Sequence, residues 1–384
     1  MNRERFPGLA DGWARLDGPA GTQMVDAAIE AMTDWMCSGR NANHGGAFAA
    51  ARATHELVDG TRASVASLLG GDRRGIVFGP SMTALTMRFA AAVGHMLEPG
   101  DELVCTRLDH DANVAPWLIA AERAGATVRF AEPDRATLEL PAGAVEEVLS
   151  DRTRWVAVTA ASNAVGSVPD LPGIVGAAHA RGARVYVDAV HAAPHRRLDV
   201  TALGCDALAC SAYKWFGPHV GILCASPDLL AELEPDKLRP APENVPDSWE
   251  QGTAAFESLA GVRAAADYVQ SLGFEAIHDH EHGLLERALD GLGGIEGVTL
   301  YGAASERAPT IMFRVGTIHP KEAAAALAER GVAVWHGNYY AHELERFLGL
   351  APDGALRAGF VHYNDESDVD RLIDGVRALA EGAI

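Results

Sequence analysis

Short apolar runs alternate with longer helical patterns over the first two thirds of the chain. The runs are rich in Val, Ile, Leu and Cys, and they occupy residues 75–80, 101–106, 127–133, 154–161, 183–190, 205–212 and 221–226. The intervening segments AAERAGA and IVGAAHARGA are amphipathic and contain the glycine that commonly ends a helix. This alternation predicts βαβ units and therefore an α/β fold, with a mostly parallel central sheet and helices on both faces.

The pattern changes near Pro235. Residues 234–253 are rich in proline and polar side chains, which predicts an extended excursion over the surface. Helical patterns and two further strand patterns, TIMFRVG and ALRAGFVHY, follow before a final helical pattern. The sequence thus predicts a large domain over residues 20–255 and a smaller α+β domain over residues 256–384, with residues 1–19 packing on the small domain.

The charge balance narrows the possible partners. Asp and Glu number 52 against 32 Lys and Arg, which gives the chain a formal net charge of −20. A surface this acidic repels phosphate backbones and anionic lipid, so we expect no nucleic-acid and no membrane partner. The chain lacks an apolar signal core near its start and an apolar run of roughly 20 residues. We therefore expect a cytoplasmic location.

The cysteines do not suggest a metal site or a disulfide framework. None of the five (Cys37, Cys105, Cys205, Cys210 and Cys224) forms a CxxC pair, and the count is odd. All five lie in apolar or helical patterns, so we expect them to be small core residues and expect no bound metal.

Two residues carry the chemistry that the rest of the sequence must support. Asp188 stands near the end of one apolar run, and Lys214 follows another. Ligands of a parallel sheet bind at the carboxyl ends of its strands. A partly desolvated lysine near other cations is a nucleophilic amine, and a buried aspartate can keep a heteroaromatic nitrogen protonated. Pyridoxal phosphate requires both groups. Taken alone, however, the two residues are equally compatible with a surface lysine and a salt-bridged aspartate that have no role in catalysis.

The surrounding segments resolve that choice. DAVH (188–191) and SAYKWFGPHVG (211–221) resemble the class V aminotransferases, and within them the cysteine desulfurase-like branch. The resemblance extends in order over nearly the whole chain. It implies a fold type I enzyme with pyridoxal 5'-phosphate as its cofactor, an α-amino acid as its substrate, and a homodimer with active sites at the subunit interface.

The resemblance also assigns roles around the cofactor ring. It makes Lys214 the residue that forms the Schiff base and Asp188 the partner of the pyridinium nitrogen. His110 is implied to stack on the ring, and with Lys214 and Asp188 it completes the expected catalytic set. His191 is implied to reach the phenolic oxygen, and Asn163 to lie close to both cofactor and substrate.

Further residues are assigned to the phosphate and to the substrate. The phosphate-binding positions are Ser81, Met82, Thr83, Ser211, Tyr213 and Thr253, of which Thr253 would reach the cofactor of the neighbouring subunit. Arg357 is implied to bind the substrate α-carboxylate, because a guanidinium offers a carboxylate two parallel donors. His44 corresponds to an active-site histidine of the family. The side-chain pocket would be shaped by Trp335, His336, Asn338 and Tyr339 or Tyr340. The alternative is that these residues pack against the dimer partner.

The sequence departs from the family at several positions. Tyr213 stands where the family more often has His, Trp335 replaces a common Arg, and the most consequential change lies at Tyr340. The desulfurase branch carries a nucleophilic cysteine on the loop where Tyr340 stands here, and no cysteine follows Cys224. A phenol cannot form a persulfide. We therefore expect a desulfurase- or lyase-like enzyme that works through Lys214 without a protein persulfide. The alternatives are an aminotransferase or amino-acid epimerase on the same scaffold, a catalytically silent cofactor-binding protein, and a binding protein for another phosphate ligand.

Overall fold

The computed structural model describes residues 2–382. Its α-helices are α1 Asp26–Cys37, α2 Ala49–Leu69, α3 Met82–Gly94, α4 Ala115–Ala124, α5 Ala142–Glu146, α6 Leu171–Ala180, α7 Val200–Leu203, α8 Pro227–Glu232, α9 Phe256–Leu272, α10 Phe274–Gly293, α11 Pro320–Glu329, α12 His342–Leu348 and α13 Glu366–Ala380. Its strands are β1 Ala14–Arg15, β2 Ile76–Gly79, β3 Glu102–Thr106, β4 Thr127–Ala131, β5 Thr153–Thr159, β6 Arg184–Asp188, β7 Ala207–Ser211, β8 Gly221–Ala225, β9 Val298–Tyr301, β10 Thr310–Val315, β11 Val332–Ala333, β12 Trp335–Gly337 and β13 Ala355–Gly359.

The central sheet has the strand order β2-β8-β7-β6-β5-β3-β4. Strand β8 runs antiparallel to both of its neighbours, and the other pairs are parallel. Strands β7 and β8 are buried at every residue, as expected for strands covered by helices on both faces. Each apolar run of the first 226 residues contains one of these strands, so the predicted mostly parallel α/β sheet is confirmed.

A second, antiparallel sheet lies in the C-terminal part, with the order β12-β13-β10-β9. The N-terminal strand β1 pairs in parallel with β11, and the amide of Gly359 donates to the carbonyl of Leu16 (2.8 Å). Helix α9 packs on α1 and α2, whereas α10 packs on α13. The exact division into domains stays a prediction.

Two expectations about burial are wrong. Cys37 is exposed, because it ends α1 on the side that faces solvent. The polar segment 234–253 is not confined to the surface, because Trp249 is buried and its indole N–H donates to the carbonyl of Leu230 (2.9 Å). Next to it, the Glu250 carboxylate accepts from the amide of Phe78 (2.8 Å). One buried aromatic thus anchors a stretch whose composition is that of a surface loop.

Gly221 allows strand β8 to pass close to the start of helix α3. Strand β8 starts at Gly221, directly beneath the point where α3 begins. A Cβ at Gly221 would overlap the carbonyl carbon of Ser81 and the amide nitrogen of Met82. Only a residue without a side chain lets the strand pass this close to the start of the helix. Within residues 2–382, no helix has both the length and the apolar character needed to cross a membrane.

Candidate active site

A cavity of about 250 Å³ opens at the carboxyl ends of the central strands. Most of the residues implied by the sequence line it together: Ser81, Met82, Thr83, His110, Asn163, Asp188, His191, Ser211, Tyr213, Lys214, Trp335, Tyr339, Tyr340 and Arg357. They come from segments spread over more than two thirds of the chain. Convergence of these polar side chains in one cavity makes it the candidate active site.

Lys214 and Asp188 face the cavity from neighbouring strand ends. Asp188 is the last residue of β6, and Lys214 closes the short helical turn that follows β7. Burial, reinforced by the positive charge of Arg357 and opposed by Asp188, lowers the pKa of Lys214 to about 7. Burial also raises the pKa of Asp188 to about 6. Near neutral pH, a large fraction of the amine is therefore neutral while most of the carboxylate is charged.

His110 is held as a neutral ring. Its Nδ1 accepts from the amide of Ala112 (3.0 Å), which leaves the ring proton on Nε2. Burial, together with the positive charges of Lys214 and Arg357, lowers the pKa of His110 to about 4. Tyr340 also lines the cavity, and its backbone carbonyl accepts from the amide of Asp111, the residue that follows His110 (2.7 Å).

Arg357 presents a buried cation to the cavity. Its Nη1 donates to the carbonyl of Asn163 (2.8 Å), and its guanidinium lies 4.5 Å from the ring centre of Tyr339. Its Nε and the Oδ1 of Asn163 are buried without a hydrogen-bond partner. Burial lowers the pKa of Arg357 to about 10, so the group stays charged at neutral pH. An orphaned donor on a buried cation is a ready site for a carboxylate.

The start of α3 offers the cavity an anion-binding corner. Ser81 caps the helix, with its Oγ accepting from the amide of Ala84 (3.1 Å), and Met82 and Thr83 form the first turn. The exposed amides and the positive end of the helix dipole favour a phosphate there. With this corner, the amine of Lys214 and the carboxylate of Asp188, the residues present fit pyridoxal phosphate.

Four of the implied residues, His44, Thr253, His336 and Asn338, lie outside the cavity of this chain, and His336 is exposed on β12. Thr253 is exposed, and so is His44, whose ring packs edge-on against Phe256 at a centroid distance of 5.8 Å. The prediction that Asn338 lines the substrate pocket is not supported. Its Nδ2 donates to Glu345 (3.1 Å) and its Oδ1 accepts from the amide of Tyr340 (3.1 Å), so both polar groups are already used to shape the loop.

Some lining residues escaped sequence reasoning. The carbonyl of Pro19 accepts from the Lys214 amine, and no local signal links residues this far apart in sequence. Thr159 could have been found, because it ends β5 in register with Asp188 at the end of β6. The loop itself was unpredictable, since Tyr339 and Tyr340 both have positive φ (54° and 59°), a conformation rare for aromatic residues.

The cysteines stand apart from this chemistry. Within residues 2–382, no cysteine lines the cavity. Burial raises the pKa of Cys205, Cys210 and Cys224 to about 12. Burial also raises the pKa of Cys105 well above its usual range. Because the thiolate is the nucleophilic form of cysteine, these four side chains are inert packing groups at neutral pH.

Known proteins and solved structures are similar to this chain over nearly its whole length. The cysteine desulfurase of Serratia proteamaculans is 32% identical to this chain over 400 residues, which cover 98% of this chain and 97% of that protein. The crystal structure of the cysteine desulfurase CsdA from Escherichia coli matches with a TM-score of 0.90 at 28% identity, covering 100% of this chain and 98% of the other. The apo structure of a cysteine desulfurase from Thermococcus onnurineus matches with a TM-score of 0.93 at 26% identity, covering 99% and 97%.

The family itself is shown by a further match. The model of the family described as aminotransferase class-V matches residues 14–372. The predicted fold type, enzyme class and cofactor are thereby confirmed. This chain belongs to the class-V aminotransferase family of pyridoxal-phosphate enzymes.

Proposed function

We propose that this protein is a lyase that acts on an α-amino acid and releases the group on its β-carbon without passing it to a protein cysteine. The observation that carries the proposal is the loop at the cavity mouth. Tyr340 stands there on His110, and no cysteine of residues 2–382 lines the cavity. The relatives described above are named cysteine desulfurases, which supports a related bond cleavage with a different fate for the released group.

Lys214 would hold the cofactor and then move the α-proton. Pyridoxal phosphate, when bound, draws electrons from the α-carbon of an attached amino acid. Once the substrate amine has displaced it, the Lys214 amine is a base whose pKa of about 7 suits proton abstraction near neutral pH. Asp188 would keep its negative charge beneath the ring nitrogen of the cofactor.

Arg357 would orient the substrate. Its unpartnered Nε and its charged guanidinium supply two donors for the α-carboxylate. With the carboxylate fixed at Arg357 and the amine at the cofactor, the remaining freedom is rotation about the α-carbon. This anchoring decides whether the α-hydrogen or the side chain faces Lys214.

His110 would donate a hydrogen bond from its Nε2–H to the departing group, and the proton that leaves with that group would be the one that Lys214 has taken from the α-carbon. The ring is neutral, and its Nε2 carries the proton because Nδ1 accepts from the amide of Ala112. In the overall reaction the Cα–H and Cβ–X bonds break, and the group X leaves with a proton. Trp335 and Tyr340, which are 50% and 71% exposed, would border the path by which X leaves.

We infer that a second copy of the chain completes the site. Thr253 and His44, both implied by the family resemblance, are exposed in a single chain, and Phe48 is 58% exposed close to His44. Mixing two inactive variants tests this. Lys214→Ala and Thr253→Ala should regain part of the activity on mixing if each site draws residues from both chains, whereas mixtures of independent chains would stay inactive.

The function is tested by incubating the holo-protein with a panel of amino acids and identifying the products. Ammonia and a keto acid formed without an amino acceptor support elimination. Keto acid that appears only with an acceptor indicates transamination, and solvent deuterium at Cα without net change indicates epimerisation. If the wild-type protein shows no cofactor absorbance band and its spectrum is the same as that of Lys214→Ala, all three reactions are refuted.

A further inference from the structure

Behind the cavity lies a buried pair that the proposed chemistry does not yet use. Nδ1 of His195 lies 2.8 Å from Oε2 of Glu281, and the two residues are only 5% and 1% exposed. His195 lies seven residues after Asp188, and Glu281 comes from α10 in the C-terminal part of the chain. The second carboxylate oxygen of Glu281 is buried without a hydrogen-bond partner.

The pair touches the cavity through His191. The rings of His191 and His195 meet edge-on, with centroids 5.2 Å apart. His191 lines the cavity, and its Nε2 lies 2.9 Å from Oγ1 of Thr310 at the start of β10. The turn that carries both histidines is closed by the amide of His195, which donates to the carbonyl of Ala192 (3.0 Å). His191 is therefore held by Thr310 from the C-terminal part and by the ring of His195 from its own turn.

The charged groups around the two rings fall on opposite sides. From the cavity, Lys214 and Arg357 act on His191, and their positive charges disfavour a proton on it. From behind, His280 on α10 and His362 after β13 lie near the Glu281–His195 pair.

A second cavity, of about 280 Å³, lies on the far side of the pair. Its rim carries His278, His282, Arg197 and Glu275, together with Arg196, which pairs with Glu306 at 3.6 Å. Glu281 is thus a buried carboxylate paired with His195, whose ring contacts one of the two histidines that border the active-site cavity.

We propose that Glu281 and His195 are positioning residues for His191: the carboxylate holds a proton on His195, and the charge of His195 keeps the neighbouring His191 ring neutral and fixed toward the cofactor. The proposal rests on the function proposed above and on the role that the family resemblance implies for His191, a hydrogen bond to the phenolic oxygen of the cofactor. Burial, and after it the positive charge of His195, holds the pKa of His191 well below its usual range, in agreement with this arrangement.

A structural role alone explains the pair poorly. Taking two charges out of water costs free energy, and apolar residues of similar volume often stabilise a core equally well or better. The burial of this pair against an active-site histidine instead fits a group that sets protonation and orientation.

The test compares two Glu→Gln variants on the same helix. Glu281→Gln removes the buried partner of His195, and Glu286→Gln removes the exposed partner of His282, which lies 3.2 Å away. In the full-length protein with isotope-labelled histidine, assigned through His191→Asn, the NMR titration midpoint of His191 should rise by about 0.5 pH unit or more in Glu281→Gln. It should stay unchanged in Glu286→Gln. Equal midpoints in wild type and Glu281→Gln would overturn the proposal.

A second variant keeps the test decisive if Glu281→Gln does not fold. The double variant His195→Phe with Glu281→Leu removes both charges and fills the space with apolar groups, and the midpoint of His191 should again rise. In the holo-protein, the pH at which the cofactor absorbance changes should also move in Glu281→Gln, but not in Glu286→Gln. A wild-type protein without any cofactor absorbance would refute the proposed function, while the histidine titration would still decide whether the pair controls His191.

Discussion

The ring of Tyr340 stacks on the ring of His110, with centroids 5.4 Å apart and planes inclined by 25°. The contact joins the loop after β12 to the turn after β3 at the mouth of the cavity. It occupies the place where the family resemblance would have put a nucleophilic cysteine. Under the proposed function, this aromatic wall shapes the pocket and holds His110, and the loop does not itself take the released group.

The ring of Tyr340 should matter more than its hydroxyl. Aromatic pairs contribute about 1 kcal/mol beyond the area they bury. Tyr340→Ala should therefore lower kcat/KM for the best substrate roughly fivefold, and Tyr340→Phe less than about twofold. Steady-state kinetics on the two variants provide the comparison. A Phe variant as impaired as the Ala variant would show that the phenol itself takes part in the reaction.

The activity should rise with pH through the neutral range. Below about pH 6 Asp188 is protonated, and below about pH 7 so is the Lys214 amine, so acid removes both required forms. The value of kcat reports the substrate complex, in which the Lys214 amine is free. Its profile should therefore climb from about pH 6 through about pH 7 and level off above that range. Measurements from about pH 5.5 to about 8.5 cover this range. A kcat that falls over the same interval would contradict the role of Lys214 as a base.

Substitution of Arg357 by lysine should weaken substrate binding although it keeps the charge. The ammonium cannot reproduce two parallel donors to a carboxylate, and a hydrogen bond to a charged group contributes about 1.5–3 kcal/mol. Arg357→Lys should therefore raise KM by roughly 10- to 100-fold, with a smaller change in kcat. An unchanged KM would show that the α-carboxylate binds elsewhere.

Two Gly→Ala variants separate a packing requirement from helix propensity. A Cβ at Gly221 overlaps the backbone where α3 begins, whereas a Cβ at Gly283 in α10 meets nothing within 4 Å. Gly221→Ala should destabilise the protein by about 1–3 kcal/mol and weaken cofactor binding. Gly283→Ala should stabilise it by about 0.5–1 kcal/mol. Thermal unfolding of both variants, each with added cofactor, reads out the difference; similar shifts in both would contradict the close approach at Gly221.

The sequence predicted the sheet well for a definite reason. Strands such as β7 and β8 are buried on both faces, and their continuous apolar runs are the strongest strand signal that a sequence carries. The neighbourhood of Asp188 and Lys214 follows from the same topology, because both residues stand at the ends of adjacent parallel strands.

The features that the sequence did not predict depend on contacts between distant segments. Nothing local to Pro19 indicates that its carbonyl meets the Lys214 amine, and nothing local to Glu281 indicates that it pairs with His195. Asn338 lies outside the cavity, and its side-chain amide instead bonds within the loop to Glu345 and to the amide of Tyr340. Long-range packing, and not residue propensity, decides the positions of Pro19 and Glu281.

The most direct measurement of the central claim uses the small number of lysines. The chain contains only Lys214, Lys237 and Lys321, of which Lys237 pairs with Glu243 (2.7 Å) and Lys321 is exposed. Borohydride reduction of the holo-protein, followed by proteolysis and mass spectrometry, should find the pyridoxyl group on the peptide that carries Lys214 and on neither of the others. A pyridoxyl group on Lys237 or Lys321, or an unmodified Lys214 in a protein that retains its yellow colour, would contradict it.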